Sequence, residues 1–158
     1  HPFHKYITNR DVNGYRDDMT LKDMINQVGR NSGGEECTPL MMAAENEHFQ
    51  VVKYLIEKGE ADPNNIANSI YGFNALHWAA YNNEKDTELI ELLLTHMSLD
   101  SINKKDRDGE TPLDGQYFNN YNPLRQEIIA LLRSKGGKAN YFDENGRHVG
   151  KGNGDLND

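Results

Sequence analysis

The sequence has little cysteine, a shortage of positive charge and no long apolar run. Cys37 is the single cysteine among 158 residues, which excludes an internal disulfide framework and favours a reducing, cytoplasmic compartment. Lysine and arginine number 17 against 25 aspartate and glutamate residues, and the resulting net charge of −8 argues against a nucleic-acid partner. No apolar stretch approaches the roughly 20 residues that a membrane-spanning helix needs.

The composition favours one elongated domain that binds a partner of opposite charge. With 36% hydrophobic and 27% charged residues, the chain is polar for a compact globule of its length. The acidic balance favours a partner with basic character. The opening His-Pro-Phe-His has neither an initiating methionine nor the apolar region of a signal peptide, so we interpret it as a tag remnant or fragment boundary.

A helical pattern recurs along the chain. Leu40, Leu76 and Leu113 stand at equivalent places, 36 and 37 residues apart, and each opens a short helical segment that is followed by a more apolar one. A period near 33 residues, lengthened by insertions, is typical of stacked helix pairs. The sequence therefore predicts three units, each with an inner and an outer helix.

Capping residues and apolar stripes support each helix of these units. Thr38 and Asn74 are predicted to cap the first two inner helices, and Asn122-Pro123 to open the third outer helix, which stops at Gly136-Gly137. The outer helices carry apolar residues at helical spacing. These are Phe49, Val51, Val52, Leu55 and Ile56, then Leu89, Ile90, Leu92, Leu93 and Leu94, then Ile128, Ile129, Leu131 and Leu132.

The three units resemble the ankyrin repeat family. The segments that carry the resemblance are CTPLMMAAENEHFQVVKYLIEKGEAD, GFNALHWAAYNNEKDTELIELLLTH and DRDGETPLDGQYFNNYNPLRQEIIALLRSKGGK. The implied fold is an all-α repeat solenoid of helix-turn-helix units with β-hairpin turns. Two departures predict local irregularity: Glu36 replaces the turn glycine of the first unit, and Gly115, Gln116 and Tyr117 replace the alanine pair of the third.

The resemblance also implies roles for two residues of NALHWAAYN. The alanines after Trp78 must be small so that inner helices can approach each other, and Trp78 itself is expected to fill the core between the inner and outer layers. His77 is expected to form hydrogen bonds between adjacent turns. A ligand-facing indole and a metal-binding or catalytic histidine are the alternatives.

The ends of the chain give weaker patterns. Residues 20–28 predict a short amphipathic helix capped by Thr20, with Met24, Ile25 and Val28 facing inward. The predicted organisation is an N-terminal tail and degenerate capping repeat at 1–32, ankyrin repeats at 33–138, a C-terminal capping hairpin at 139–148 and a disordered tail at 149–158.

No motif predicts catalysis, a cofactor or a metal site. Asp106 to Gly109 and Asp143 to Gly146 resemble the start of a calcium loop, but neither continues with the remaining oxygen ligands of an EF-hand. Cys37 and His48 lack a third group to orient a base. The chain is accordingly predicted to be no enzyme.

Partner recognition is expected at the turn tips and on the exposed side of the inner helices. Transferred by the repeat alignment, these positions are Glu35, Glu45, Asn46, Ile70, Tyr71, Phe73, Tyr81, Asn82, Arg107, Asp108, Glu110 and Phe118. Those of the second unit are mainly aromatic or apolar, which is typical of an interface hot spot. In the alternative interpretation, the insertion after Asp62 folds back and covers Ile70, Tyr71 and Phe73.

The function predicted from these patterns is a monomeric, intracellular protein-binding module. Its partner is a protein of basic and apolar character. The alternative is a targeting or regulatory domain of a larger enzyme or secreted effector whose catalytic part lies outside this chain.

Overall fold

The computed structural model describes residues 20–66 and 71–150, so predictions for Ile70 and for the terminal tails lie outside the described residues. These two ranges contain eight helices and one two-stranded sheet. The helices are α1 (Leu21–Ile25), α2 (Pro39–Glu45), α3 (Phe49–Glu57), α4 (Ala75–Asn82), α5 (Glu88–His96), α6 (Leu99–Ile102), α7 (Pro112–Phe118) and α8 (Arg125–Ser134). The strands are β1 (Gly29–Arg30) and β2 (Glu36–Cys37), which pair antiparallel.

The helices form two packed layers, as predicted. The inner helices α2, α4 and α7 pack side by side, and each also packs against its own outer helix, α3, α5 or α8. Leu40, Leu76 and Leu113 are buried at equivalent points of the inner layer, and Val52 and Ile90 are fully buried in the outer one. The predicted all-α repeat solenoid is confirmed.

Side-chain caps start all three inner helices, the first two at the predicted residues Thr38 and Asn74. The Thr38 hydroxyl accepts from the Met41 N–H at 3.2 Å, which satisfies one of the free donors of the first turn. Asn74 and Thr111 form reciprocal capping boxes with the third helical residues, His77 and Asp114. The third outer helix starts later than predicted, at Arg125.

Asn122 has a different role from the predicted helix cap. Its Oδ1 accepts from the Leu124 N–H at 2.8 Å, in a turn that precedes α8. Its Nδ2 donates to the Asn83 carbonyl oxygen at 2.7 Å. The buried Asn122 side chain therefore joins the loops of two neighbouring helix pairs.

Two predicted core positions are exposed. Val51 in α3 is 49% exposed. Val28 is 39% exposed because α1 ends at Ile25, which places Val28 in the segment before β1. Helix α6, which Ser98 caps by accepting from the Ser101 N–H at 3.2 Å, was not predicted.

The turn glycine of the first unit is present, so the prediction that Glu36 replaces it is wrong. Gly34 adopts φ +82°, and Asn31 Oδ1 accepts from the Gly33 and Glu35 N–H groups. The same turn is built on Asp106 with Gly109, and on Asp143 with Gly146. Glu36 and Cys37 are two additional residues after this turn, and they form β2.

The third inner helix is regular, contrary to the expected irregularity. Helix α7 keeps its capping box and its backbone hydrogen bonds through Gly115. Gln116 is fully buried, and its side-chain Nε2 donates to the Ala80 carbonyl oxygen at 2.5 Å. This hydrogen bond accommodates a large polar side chain where the other inner helices have alanine.

Candidate functional site

A groove of about 590 Å³ lies between α4 and α7, beside the turn at Asp106 to Glu110. Its lining combines aromatic rings with carboxylates. The aromatic residues are Tyr71, Phe73, Trp78, Tyr81, Phe118 and Tyr121, and the acidic ones are Asp106 and Glu110.

A small residue in α7 opens this groove. Met42, Trp78 and Gly115 hold the same position in the three inner helices, and Gly115 has no side chain to cover its neighbour. A Cβ atom built on Gly115 would meet no heavy atom within 4 Å, so the space beside α7 is free. The sequence of α7 therefore leaves the Trp78 side of the groove uncovered.

Trp78 lies in the groove wall, which corrects the prediction that it fills the space between layers. It is half-buried and packs against the core from the groove side. Its ring meets that of Phe73 edge to face, with centroids 5.1 Å apart. One part of the indole supports the fold while another part faces the groove.

Phe73 belongs to a stack of rings. Its ring stacks on Tyr71 at 5.4 Å between centroids and on His77 at 5.5 Å, and the Arg107 guanidinium lies 4.9 Å from the Tyr71 ring centroid. The ring contacts with Tyr71, His77 and Trp78 hold Phe73 in the groove wall.

Glu110 carries a carboxyl group in an unusual environment. Burial raises its pKa to about 7, and the neighbouring carboxylates of Asp106, Asp108 and Asp114 add to the shift. Burial likewise raises the pKa of Asp106. Within the described ranges, neither a hydrogen-bond donor nor a cation pairs with the Glu110 carboxyl group. The groove thus contains an acid whose charged form lacks compensation.

Gln116 presents a second acceptor without a donor. Its Nε2 is used in the bond to Ala80, whereas its Oε1 is buried and has no hydrogen-bond partner among the described residues. A buried acceptor left unpaired costs about 1 to 3 kcal/mol. Gln116 is among the residues that line the groove, but its Oε1 atom is closed to solvent and is not offered to an occupant.

His77 is a structural histidine. Its Nδ1 accepts from the Asn74 N–H at 3.1 Å, and its Nε2 lies 3.4 Å from the Glu110 carbonyl oxygen in the next turn, as the resemblance implied. Burial lowers its pKa to about 4, which keeps the ring neutral and its Nδ1 lone pair available to accept. A neutral ring with both nitrogens engaged holds two adjacent units together.

The described residues offer no assembled reactive centre. No group of His, Cys, Asp and Glu side chains within them is arranged to hold a metal ion. Burial raises the pKa of the Cys37 thiol, and the nearby Glu45 adds to this, so the unreactive thiol form predominates. Within the same ranges, no helix has the length and apolar character needed to cross a bilayer.

The structure brings together only part of the predicted recognition set. Five members line the groove: Tyr71, Phe73, Tyr81, Glu110 and Phe118. Arg107 and Asp108 are exposed in the adjoining turn, and Asn82 is half-buried at the end of α4.

The remaining members lie on the first unit, away from the groove. Glu45 is half-buried and accepts from the Asn31 Nδ2 at 3.2 Å, and Asn46 is exposed. Glu35 is half-buried, with an Oε2 atom that has no hydrogen-bond partner among the described residues.

Trp78, Gly115, Gln116 and Tyr121 line the groove but were not predicted as site residues. A signal was available for two of them, since Gly115 and Gln116 depart from the repeat pattern. The departure was interpreted as a local irregularity of the helix, whereas its effect is to change the shape of the surface. The groove was missed for this reason.

A family model described as ankyrin repeats, in three copies, matches residues 13–106. The match begins upstream of the predicted first unit and ends at the turn that precedes α7. No curated protein matches the chain. Ankyrin repeats are generally modules for protein–protein interaction and are typically not catalytic. With more than half of its length matched and its helix pairs stacked in two layers, the chain belongs to the ankyrin repeat family.

Proposed function

We propose that this protein binds a protein partner through the groove between α4 and α7, together with the adjoining turn tips on the concave face. The observation that carries the proposal is a concave aromatic surface with large exposed area: Tyr81 is 65% exposed, Phe118 45% and Tyr121 95%. Aromatic side chains supply much contact area at low entropic cost, and they dominate the energetics of interfaces.

The charges around the groove favour a partner with basic and apolar character. Asp108 is exposed beside the groove, and Glu35, Glu45 and Asn46 extend the polar surface over the first repeat. Charges at the rim of an interface mainly steer association, while buried aromatic contacts slow dissociation. We further propose that the protein acts as a monomer in a cytoplasmic compartment, where the free Cys37 remains reduced.

The proposal is tested by selecting peptides from a random display library on the wild-type protein and measuring their binding to variants. Gly115→Leu places a side chain in the groove and also raises the helix propensity of α7, by about 1 kcal/mol. Tyr54→Ser is the matched control, because Tyr54 is 65% exposed on the outer helix α3.

The selected peptides should bind the wild type and Tyr54→Ser equally, and should bind Gly115→Leu at least about tenfold more weakly, a loss of about 1.4 kcal/mol. A melting temperature of Gly115→Leu that is no lower than that of the wild type would exclude misfolding as the cause. Peptides that bind Gly115→Leu as well as the wild type would overturn the proposal.

A further inference from the structure

We infer that the groove receives an arginine side chain of the partner, with its guanidinium held by the Glu110 carboxylate and packed against the aromatic lining. This inference rests on the proposed function and specifies the chemistry of the partner. It is carried by the hydrogen-bonding groups that line the groove and by the aromatic rings around them.

A carboxyl group without a donor is the first observation. Glu110 lines the groove, and its carboxyl group has no hydrogen-bond donor within the described part of the chain. A cationic group with several N–H donors matches such an acceptor. Guanidinium has five donors and no acceptor, and it binds carboxylates in a bidentate manner.

Charge complementarity is the second observation. Asp106, Asp108 and Asp114 all act on Glu110 and disfavour its ionised form. Arg107 is the nearest basic residue of the turn, but its guanidinium lies over Tyr71, and the ion pairs found between described residues are Arg30 with Glu36 and Lys85 with Glu47. An incoming cation would therefore enter a negative field that no ion pair between described residues neutralises.

The aromatic lining is the third observation, and it favours arginine over lysine. A guanidinium is planar and more weakly hydrated than an ammonium group, so it stacks on aromatic faces at lower cost. This chain already shows such contacts, since Arg107 lies over Tyr71, and Arg125 and Arg133 lie 5.9 and 5.6 Å from the Tyr117 ring centroid. The rings of Trp78, Tyr81 and Tyr121 are available in the same way to an occupant.

The space matches a side chain with flanking residues. At about 590 Å³ the groove exceeds the volume of one arginine side chain, and Gly115 leaves its α7 side open. Apolar residues beside the arginine would cover Phe118 and Tyr121. The expected occupant is a partner segment with one arginine among apolar residues.

Trp78 is the only tryptophan of the chain, so its indole N–H resonance and its fluorescence report on the groove alone. The probe is N-acetyl-arginine methylamide, and its matched control is N-acetyl-citrulline methylamide, which has nearly the same shape without the charge. Both are titrated into the wild type, Glu110→Gln and Gly115→Leu, after each variant is shown to melt at a temperature no lower than that of the wild type.

The arginine amide should shift the Trp78 signals in a saturable manner, with a Kd in the millimolar range. The citrulline amide should bind at least fivefold more weakly, about 1 kcal/mol. Glu110→Gln should remove this preference, and Gly115→Leu should abolish both shifts.

Equal binding of the two amides, an unchanged preference in Glu110→Gln, or no saturation up to about 100 mM would overturn the inference. Its failure is distinguishable from failure of the proposed function. If display selects peptides without arginine that still depend on Gly115, the groove is a binding site and only the arginine inference is wrong. If no selected peptide depends on Gly115, the proposed function fails as well.

Discussion

Two carboxyl groups that lie close together in the third repeat have opposite surroundings. Asp114 in α7 is fully buried, and its oxygens accept from the backbone N–H groups of Thr111, Asn140 and Tyr141 at 2.8 to 2.9 Å. Glu110 is half-buried in the groove wall, and no donor pairs with its carboxyl group among the described residues. Asp114 is thus an acid whose carboxylate stabilises the fold, whereas the carboxyl group of Glu110 is available to an occupant of the groove.

Asp114 joins the third repeat to the segment that follows it. Asp114 occupies the position that His77 has in the second repeat, and each side chain reaches the turn of the following unit. Asn140 adds a bond from its Nδ2 to the Gly109 carbonyl oxygen at 2.8 Å, and an antiparallel bridge between Phe142 and His148 closes the next turn. The junction after the third repeat is thus closed by polar contacts, whereas the junction before it opens into the groove.

The largest effect is expected from Asp114→Ala. The change leaves three backbone N–H groups without their acceptor in a buried site, so the free energy of unfolding should fall by about 3 to 5 kcal/mol. Urea denaturation measures the loss. A decrease below about 1 kcal/mol would show that Asp114 is dispensable and would remove the contrast with Glu110.

A truncation after Lys138 provides the control for this prediction. It removes Asn140 and Tyr141, two of the three N–H donors to Asp114. If these contacts carry the effect, truncation and Asp114→Ala should be strongly non-additive. Additive losses would place the role of Asp114 elsewhere.

The next effect concerns Trp78, which is shared between the core and the groove. Full burial of a large aromatic residue would give a loss of about 3 to 5 kcal/mol on truncation to alanine. Because Trp78 is half-buried, Trp78→Ala should cost about 1 to 2 kcal/mol, less than Leu76→Ala in the same helix. Thermal denaturation of both variants tests the order. A larger loss of stability for Trp78→Ala than for Leu76→Ala would show that the indole belongs to the core.

The pH dependence of arginine binding distinguishes the two acids further. With a pKa of about 7, Glu110 is mostly protonated at pH 6 and mostly ionised at pH 8, so binding of the arginine amide should tighten about tenfold over that range. Burial sets this pKa together with the carboxylates of Asp106 and Asp108 in its turn and Asp114 in α7, while His77 in α4 stays neutral throughout the range and the Arg107 guanidinium lies over Tyr71. Binding should be independent of pH in Glu110→Gln. Wild-type binding of the arginine amide that does not change with pH would contradict a contact with the ionisable Glu110 carboxyl group.

The smallest effect is a change in stability with pH. The pKa of Glu110 rises from 4.5 to about 7 on folding, so its contribution is favourable at low pH and is lost as pH rises through 7. Glu110→Gln should therefore gain stability relative to the wild type between pH 5 and pH 8, by less than about 1 kcal/mol because the side chain is partly solvated.

His77 does not disturb this comparison. Its lowered pKa makes the opposite contribution, with stability lost as pH falls from 6.5 towards 4, but that contribution is present in both proteins and cancels in their difference. Melting curves of both proteins at the two pH values give the result. If the wild type gains more stability than Glu110→Gln between pH 5 and pH 8, the predicted direction of the Glu110 contribution is wrong.

The fold could be predicted because it depends on features that repeat. Leu40, Leu76 and Leu113 mark the period, and Thr38 and Asn74 mark the starts of the first two inner helices, so each unit supported the assignment of the others. The predicted division of the chain at residues 32, 138 and 148 stays a prediction.

The groove was harder to predict because it depends on departures from the repeat. Its shape is set by Gly115, which stands where the second repeat has Trp78, and its chemistry by the carboxyl group of Glu110, whose pKa is raised by burial. Packing between neighbouring helices decides these properties, and the repeat pattern does not record it. The aromatic members Tyr71, Phe73 and Tyr81 were accessible from the alignment of repeats alone.

The most direct test of the groove as the recognition surface is chemical-shift mapping with the tightest peptide from the display selection. Backbone and indole N–H spectra of the labelled protein would be recorded during titration. The largest shifts should fall on the Trp78 indole, the Gly115 amide and the Glu110 amide, which line the groove. Shifts centred on Val51 and Tyr54, which are exposed on the outer helix α3, would contradict the account.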